Sequence, residues 1–337
     1  MRKVTIKDVA KEAGVSISTV SKALNHKGYV SKETVDRIQV AVKSLRYQVN
    51  ANARSLKSER TNKVGVIISD ISNPYLMSIA KEIETTIRSI GCHMILMSHN
   101  DNVEQERELL QLILEQQVDG LVIIPTGSNR ELVQHVQDTG VPIIAVDRRT
   151  DGVNTDSIED DNYFGSYEAI NYLSSLGHKK IAVLFGHLNH SNGRARYDGA
   201  VDALKNQNLL ITRYIRQGNF NEENAFRETQ ELLLLQEPPT AIYSCNNTMT
   251  IGLLKAIQEQ GLSIPNDISV IAFGDREQWE LIKPKLTLIT QPLKRIGTES
   301  ASLLKNRLTI YEEYEPKKIV IKPRLEIGES CKYLSSK

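Results

Sequence analysis

"TIKDVAKEAGVSISTVSKALN", Thr5 to Asn25, reads as two short helices parted by a glycine. Thr5 with Asp8 three residues on has the form of a capping box, Asp standing for the usual Glu. The first helix then runs to about Glu12 and stops at Ala13-Gly14. Ser16 caps the second, which places Val20, Ala23 and Leu24 on one face. The other face holds Ser16, Ser18, Thr19, Ser21 and Lys22, and no acidic residue occurs between Glu12 and Glu33. Ser31 caps a third helix, with Val35, Ile38, Val42 and Leu45 as its apolar stripe. Two short helices around a tight turn, followed by a third, make a helix-turn-helix, and the second helix of that motif enters the major groove of DNA. Short hydroxyl side chains suit close approach to base edges and phosphates, where a carboxylate would be repelled.

Charge supports that reading. Residues 1–60 carry 13 Lys/Arg against 5 Asp/Glu and the remainder 29 against 36, so a net charge of +1 conceals a basic head on an acidic body. A polyanion partner for the head alone follows. At 337 residues the chain has room for more than one core. No apolar run is long enough to span a bilayer and no signal-peptide core opens the sequence, so the expected setting is cytoplasmic, with no membrane partner. Cys92, Cys245 and Cys331 stand far apart and read as reduced, buried thiols. His187 and His190 lack an evident third ligand, so no metal is expected. Gly127 and Gly193 belong to no phosphate-binding GxGxxG, and no nucleophile–base pair can be placed. Neither a cofactor nor an enzyme activity is expected.

From Val64 the pattern changes to apolar strands alternating with amphipathic helices. "VGVIIS", "HMILMS", "GLVIIP" and "PIIAVD" form one series; "KIAVLFG", "TAIYSCN" and "ISVIAFG" form another. Such alternation means parallel sheets covered on both faces, here two Rossmann-like subdomains facing one cleft. The break between them is read near Asp156–Asp161, with "EDDN" at 159–162 taken as a surface turn in which Asp161 caps the next helix. Leu288 to about Leu308 reads as a strand and helix returning to the first subdomain. Ligands in such sheets bind beyond the carboxyl ends of the strands. Polar residues gather there: Asn73 and Tyr75, Asp147 and Arg148, Asn246, Asp275 and Gln291, with Arg196 and Phe220 nearby. Carboxylates, amides and Arg for paired hydroxyls, with aromatic faces for C–H surfaces, are what a sugar needs. Asp275 also has the alternative reading of a helix-start cap, and Arg196 that of a packing residue.

The headpiece stretch and its continuation "YVSKETVDRIQVAVKSLRYQVNANARSL" closely resemble the lactose-repressor (LacI/GalR) family of bacterial transcription regulators, and the resemblance covers nearly the whole chain. It implies an α/β protein with a helix-turn-helix headpiece at 1–49 and a hinge helix at 50–60. An effector-binding domain of the periplasmic-binding-protein type follows at 61–337. Its N-subdomain is placed at about 61–156 plus 289–320 and its C-subdomain at about 157–288 plus 321–337. The matching positions imply base contacts by Ile17, Ser18 and Lys22, and phosphate contacts by Thr5, Ser16, Thr19, Ser21 and Asn25. Tyr47, Asn50, Ala53, Arg54, Leu56 and Lys57 complete the implied DNA surface, Leu56 as a wedge in the minor groove. Val49 stands where the family usually has Pro, and Lys22 where most members have Arg. In the cleft the resemblance implies sugar-hydroxyl contacts by Asn73, Asp147, Arg148, Arg196, Asn246, Asp275 and Gln291, with the ring held between Tyr75, Leu76 and Phe220. Leu76 replaces a common aromatic, and Asn247 the Asp that usually follows Asn246. The implied function is repression from a near-palindromic operator by a homodimer, modulated by a pentose or hexose. The alternative is a catabolite-control-type body that responds to a phosphorylated carrier protein or another small metabolite.

Base contacts specify and phosphate contacts position. Lys22→Ala is therefore expected to lose discrimination between operator and random DNA, whereas Lys57→Ala weakens both alike. Binding of both DNAs at one salt concentration checks this, and equal losses for the two variants would place Lys22 on the backbone.

Overall fold

The computed structural model describes residues 4–24, 28–47, 60–309 and 314–334. Asn25, Val49, Asn50, Ala53, Arg54, Leu56 and Lys57, and with them nearly all of the expected hinge helix, lie outside those residues. The chain divides into two units, residues 1–61 and 62–337.

In the first unit α1 (Ile6–Glu12), α2 (Ile17–Leu24) and α3 (Lys32–Ser44) surround one small core. The Asp8 carboxylate accepts from the Thr5 backbone N–H at 2.8 Å and from the Thr5 hydroxyl at 2.7 Å, which fixes the start of α1. Gly14 ends it at φ +63°, a left-handed turn that costs glycine nothing. Ser16 Oγ accepts from Thr19 N at 3.1 Å, and Ser31 Oγ from Thr34 N at 3.3 Å. With their ends capped, the three helices bury Val9, Val20 and Ile38 completely against one another. So few side chains make a marginal core, which leaves capping a large share of the stability.

The second unit opens with β1 (Lys63–Ile68), α4 (Pro74–Arg88), β2 (His93–Ser98), α5 (Val103–Gln116), β3 (Gly120–Ile123), α6 (Arg130–Asp138), β4 (Ile143–Val146) and β5 (Asp156–Asp160). It continues through α7 (Asn162–Ser175), β6 (Ile181–Phe185), α8 (Ser191–Asn206), β7 (Ile215–Gln217), α9 (Glu222–Leu233), β8 (Ala241–Ser244), α10 (Asn247–Glu259), β9 (Ser269–Gly274), α11 (Arg276–Trp279) and β10 (Thr287–Thr290). Then come α12 (Leu293–Thr309), β11 (Lys318–Ile321) and β12 (Arg324–Glu326). One sheet has the order β11-β5-β4-β3-β1-β2 and the other β12-β10-β9-β8-β6-β7. All pairings are parallel except β10 with β12. The pleat explains the layers: Val64, Val66 and Ile68 of β1 face Ile79, Ile83 and Ile87 of α4, while Ile67 faces Leu110 and Ile113 of α5. Among the described residues no helix is long and apolar enough to cross a membrane.

The chain passes between the sheets after β5, after β10 and after β11. This differs from the sequence reading in two places. Asp156–Asp160 is not a break but a buried strand of the first sheet, paired with β4 and β11. Glu159 and Asp160 therefore belong to no surface turn, although Asp161 does cap α7, accepting from Phe164 N at 3.0 Å. "DSIED" hides its strand character because three of its five positions are carboxylates, each with a built partner. Asp156 takes both arms of Arg307 at 2.8 and 2.9 Å, Glu159 binds Arg149, and Asp160 binds Gln291. The second difference is β10, which stays in the second sheet beside β9; only the helix after it, α12, returns to pack on α4.

Helix layers close tightly at glycines. A Cβ on Gly199 of α8 would land against the Tyr163 carbonyl oxygen at the start of α7, and one on Gly252 of α10 against the Glu222 carbonyl oxygen of α9. Gly199→Ala is therefore expected to destabilise by about 1–3 kcal/mol through overpacking, outweighing the roughly 1 kcal/mol that alanine gains over glycine in a helix. A denaturant midpoint equal to or above that of the parent protein would show that the two helices part at no cost.

Candidate functional site

The α2 surface is built from its first turn. Ser16 Oγ caps Thr19 N and also lies 2.7 Å from Ser18 Oγ and 2.8 Å from Thr19 Oγ1, so these hydroxyls form one chain at the helix start. Ile17 is 44% exposed, and Ser16, Ser18 and Lys22 are exposed with it. Thr19 and Ser21 are half-buried on the same helix, and Thr5 is exposed at the start of α1. Tyr47 is half-buried against the headpiece core. An outward Ile between hydroxyls and a cation fits a surface that meets a thymine methyl and base edges.

In the second unit one cleft collects strand ends from both sheets around a cavity of about 100 Å³. Ser69 and Asp70 follow β1, and Asp147 and Arg148 follow β4. Asn73 starts α4, its Oδ1 accepting from Tyr75 N at 3.1 Å, which brings Tyr75 and Leu76 to the wall. From the second subdomain come Asn192 and Arg196 of α8, Phe220, and Asn246 to Thr248 at the start of α10. Phe273 and Gln291 complete the lining. Asp147 (φ 63°) and Phe220 (φ 54°) both hold left-handed backbone, an uncommon conformation for non-glycine residues that turns each side chain sharply out of its strand end.

Hydrogen bonds cross this cleft. Asn192 Nδ2 donates to Asp147 Oδ2 at 2.8 Å, joining α8 to the end of β4. Tyr75 Oη donates to Asp147 Oδ1 at 3.2 Å and accepts from Gln291 Nε2 at 2.9 Å; Gln291 also donates to Asp160. Arg196 donates to Asn162 Oδ1 and to the Cys245 carbonyl, both at 2.7 Å, and its guanidinium lies 3.8 Å over the Phe273 ring. Asn246 Oδ1 caps α10 through Met249 N at 2.8 Å. Arg148 Nε, Asp160 Oδ1 and Asn192 Oδ1 are buried with no hydrogen-bond partner among the described residues. Buried polar atoms are rarely left so, and a polar ligand or water here would complete them.

Burial and one close ion pair shape the charge in the cleft. Burial works against ionisation of Asp101, but the adjoining Arg148 guanidinium holds its carboxyl below the usual range. Burial pushes Asp160 up to about 7, with the nearby Asp147 charge adding to it and the Gln291 hydrogen bond opposing it. Burial, and then the Asp147 charge, also raises the Tyr75 hydroxyl well above its usual value. His190 is pushed down to about 3 by burial and by Arg148, and its ring stacks on Phe220.

Of the residues read from the sequence as effector contacts, the structure brings all but Asp275 to the cavity. Asp275 is the N-cap of α11, accepting from Glu277 N at 3.1 Å, so its carboxylate is engaged in the capping role that was its alternative reading. The sequence reading missed Ser69, Asp70, Asp101, Asn192, Thr248 and Phe273. The strand-end rule that picked Asp147 also reaches Asp101, three residues beyond β2. Phe273 lies inside an apolar strand and gives no such signal.

Residues 5–50 match the family described as "Bacterial regulatory proteins, lacI family", and residues 170–331 match a "Periplasmic binding protein-like domain". Over 334 residues the chain is 35% identical to the HTH-type transcriptional repressor PurR of Histophilus somni (strain 129Pt), covering 98% of this chain and 99% of that protein. The crystal structure of the lac repressor dimer bound to operator and the anti-inducer ONPF superposes with a TM-score of 0.81 at 27% identity, over 98% of this chain and 99% of that one. A LacI family transcriptional regulator from Enterococcus faecium with bound ribose superposes with a TM-score of 0.72 at 28% identity, over 81% of this chain and all of that one.

A carboxyl whose folded pKa is raised stabilises fully below its unfolded value and loses that contribution as pH climbs to the folded value. For Asp160 that window runs from about 4 to about 7. Asp160→Asn keeps the shape and cannot ionise, so its melting temperature relative to the parent is expected to rise from pH 5 to about pH 7 and to level off above it. A constant difference across that range would mean that Asp160 ionises freely.

Proposed function

The chain belongs to the lacI family of bacterial regulatory proteins, and on that premise we propose that it is a homodimeric repressor of a near-palindromic operator whose affinity is set by a pentose or hexose in the cleft. The observation that carries the ligand reading is the convergence of Asp147, Arg148, Asn192, Arg196 and Gln291 from both subdomains on one small cavity. Amides, carboxylates and guanidinium groups suit the paired hydroxyls of a polyol, with Tyr75, Leu76 and Phe220 giving apolar faces to its ring. About 100 Å³ suits one sugar ring rather than a chain of them. The bound ribose of the E. faecium regulator supports the same class.

Control follows from the bond across the cleft. Asn192 and Asp147 already join the subdomains, so a sugar that takes over either group changes how one subdomain is held on the other. A ligand moves such an equilibrium only by its differential affinity for the two arrangements. On the DNA side Lys22 is a point charge without the guanidinium fork, which relaxes base preference at its position. The protein acts in the cytoplasm, needs no cofactor and performs no catalysis. Residues 1–49 serve as headpiece, 50–60 as hinge and 61–337 as effector domain.

A thermal-shift panel of pentoses and hexoses on the full-length protein tests this, because a ligand at 100 times its Kd stabilises by about 2.7 kcal/mol. One or more should raise the melting temperature and change the operator-binding midpoint. Asn192→Ala is expected to weaken that sugar response about tenfold or more and to shift operator binding without sugar as well, because it removes the bond across the cleft. A panel with no active sugar would sink the effector class, and an unchanged response in Asn192→Ala would remove the cleft bond from control.

A further inference from the structure

We propose that Asn247, held by Trp279, is a specificity-determining residue that presents only hydrogen-bond donors to the cleft; this rests on the sugar reading and deepens it. Asn247 lines the cavity, whereas Trp279 is buried behind it, 4% exposed. The indole Nε1–H of Trp279 donates to Asn247 Oδ1 at 2.8 Å. An indole N–H donates and never accepts, so its partner atom must be the amide oxygen. That bond removes the flip ambiguity of an asparagine and leaves Nδ2 as the polar atom that residue 247 turns to the cavity. Among the described residues no protein acceptor is recorded for that nitrogen.

The seat is shaped on a third side by Gly274, where a Cβ would land on the Asn247 amide oxygen. Trp279 is itself fixed. It ends the short helix α11, which Asp275 caps and which Arg276 ties to Glu326 through Nε at 2.7 Å. The Trp279 indole thus sets the amide orientation, and Gly274 leaves room for it.

The consequence is chemical. At this corner the effector must offer an acceptor and needs no proton of its own. A carboxylate in the same seat would also satisfy the indole, but its second oxygen would then demand a donor from the ligand. One side chain thereby decides whether a ligand hydroxyl is read through its lone pair or through its hydrogen.

The test uses the full-length protein and two readouts. Trp279 is the only tryptophan, so its indole N–H gives one NMR signal. Asn247→Ala should move that signal and speed its hydrogen exchange, and an unmoved signal overturns the bond. The second readout takes the monosaccharide with the largest thermal shift and titrates its monodeoxyfluoro analogues, in which fluorine accepts but cannot donate. At one position the wild type should lose less than about threefold while Asn247→Asp loses about tenfold or more, the latter corresponding to one hydrogen bond. Trp279→Phe, which keeps the ring stem but frees the amide to turn, should fall between them. Identical fluorine profiles in wild type and both variants overturn the donor assignment alone. A wild type that takes no monosaccharide overturns the sugar reading and the assignment with it.

Discussion

Both sheets must present their carboxyl edges to one space, and the three strand-to-strand passages after β5, β10 and β11 impose this. A parallel sheet collects loops of one kind at one edge, and helix starts with their free N–H groups gather there too. Because the passages lie at those edges, the polar loop residues of both subdomains meet. Asp160 ends one passage strand and Gln291 follows another, and the bond between them holds the passages side by side. Asn192–Asp147, the Tyr75 bridge and the Arg196 contacts are arranged around that seam.

Much of the fold was legible because apolar periodicity and end signals agreed. Ser16, Gly14 and Ser31 marked the headpiece helices, and runs such as "VGVIIS" and "ISVIAFG" marked buried parallel strands. Legibility failed where burial was achieved by pairing rather than by apolarity. "DSIED" is a fully buried strand, yet no periodicity rule finds it, because its carboxylates are matched by Arg307, Arg149 and Gln291 from distant segments. Asp275 is a different case: its position at a strand end also starts a helix, and one of its carboxylate oxygens caps that helix through the N–H of Glu277.

The electrostatics of the cleft follow from burial. Several ionisable groups share this space, and burial, ion pairing and hydrogen bonding set the charge of each. Asp101 pairs with Arg148, Asp160 sits with a pKa of about 7, and His190 stays neutral far below its usual value. What a ligand meets is a set of directed hydrogen-bond donors and acceptors. Such a site discriminates by hydrogen-bond pattern, where a missing partner leaves a buried group unsatisfied, and not by attraction.

The glycine contacts at 199 and 252 bear on mechanics. Backbone touching backbone leaves no side-chain cushion, so α7 on α8 and α9 on α10 cannot slide past each other without a clash of main-chain atoms. A layer that resists shear transmits displacement instead of absorbing it. Those two helix pairs are therefore stiff parts of the second subdomain, each locked at a point of main-chain contact.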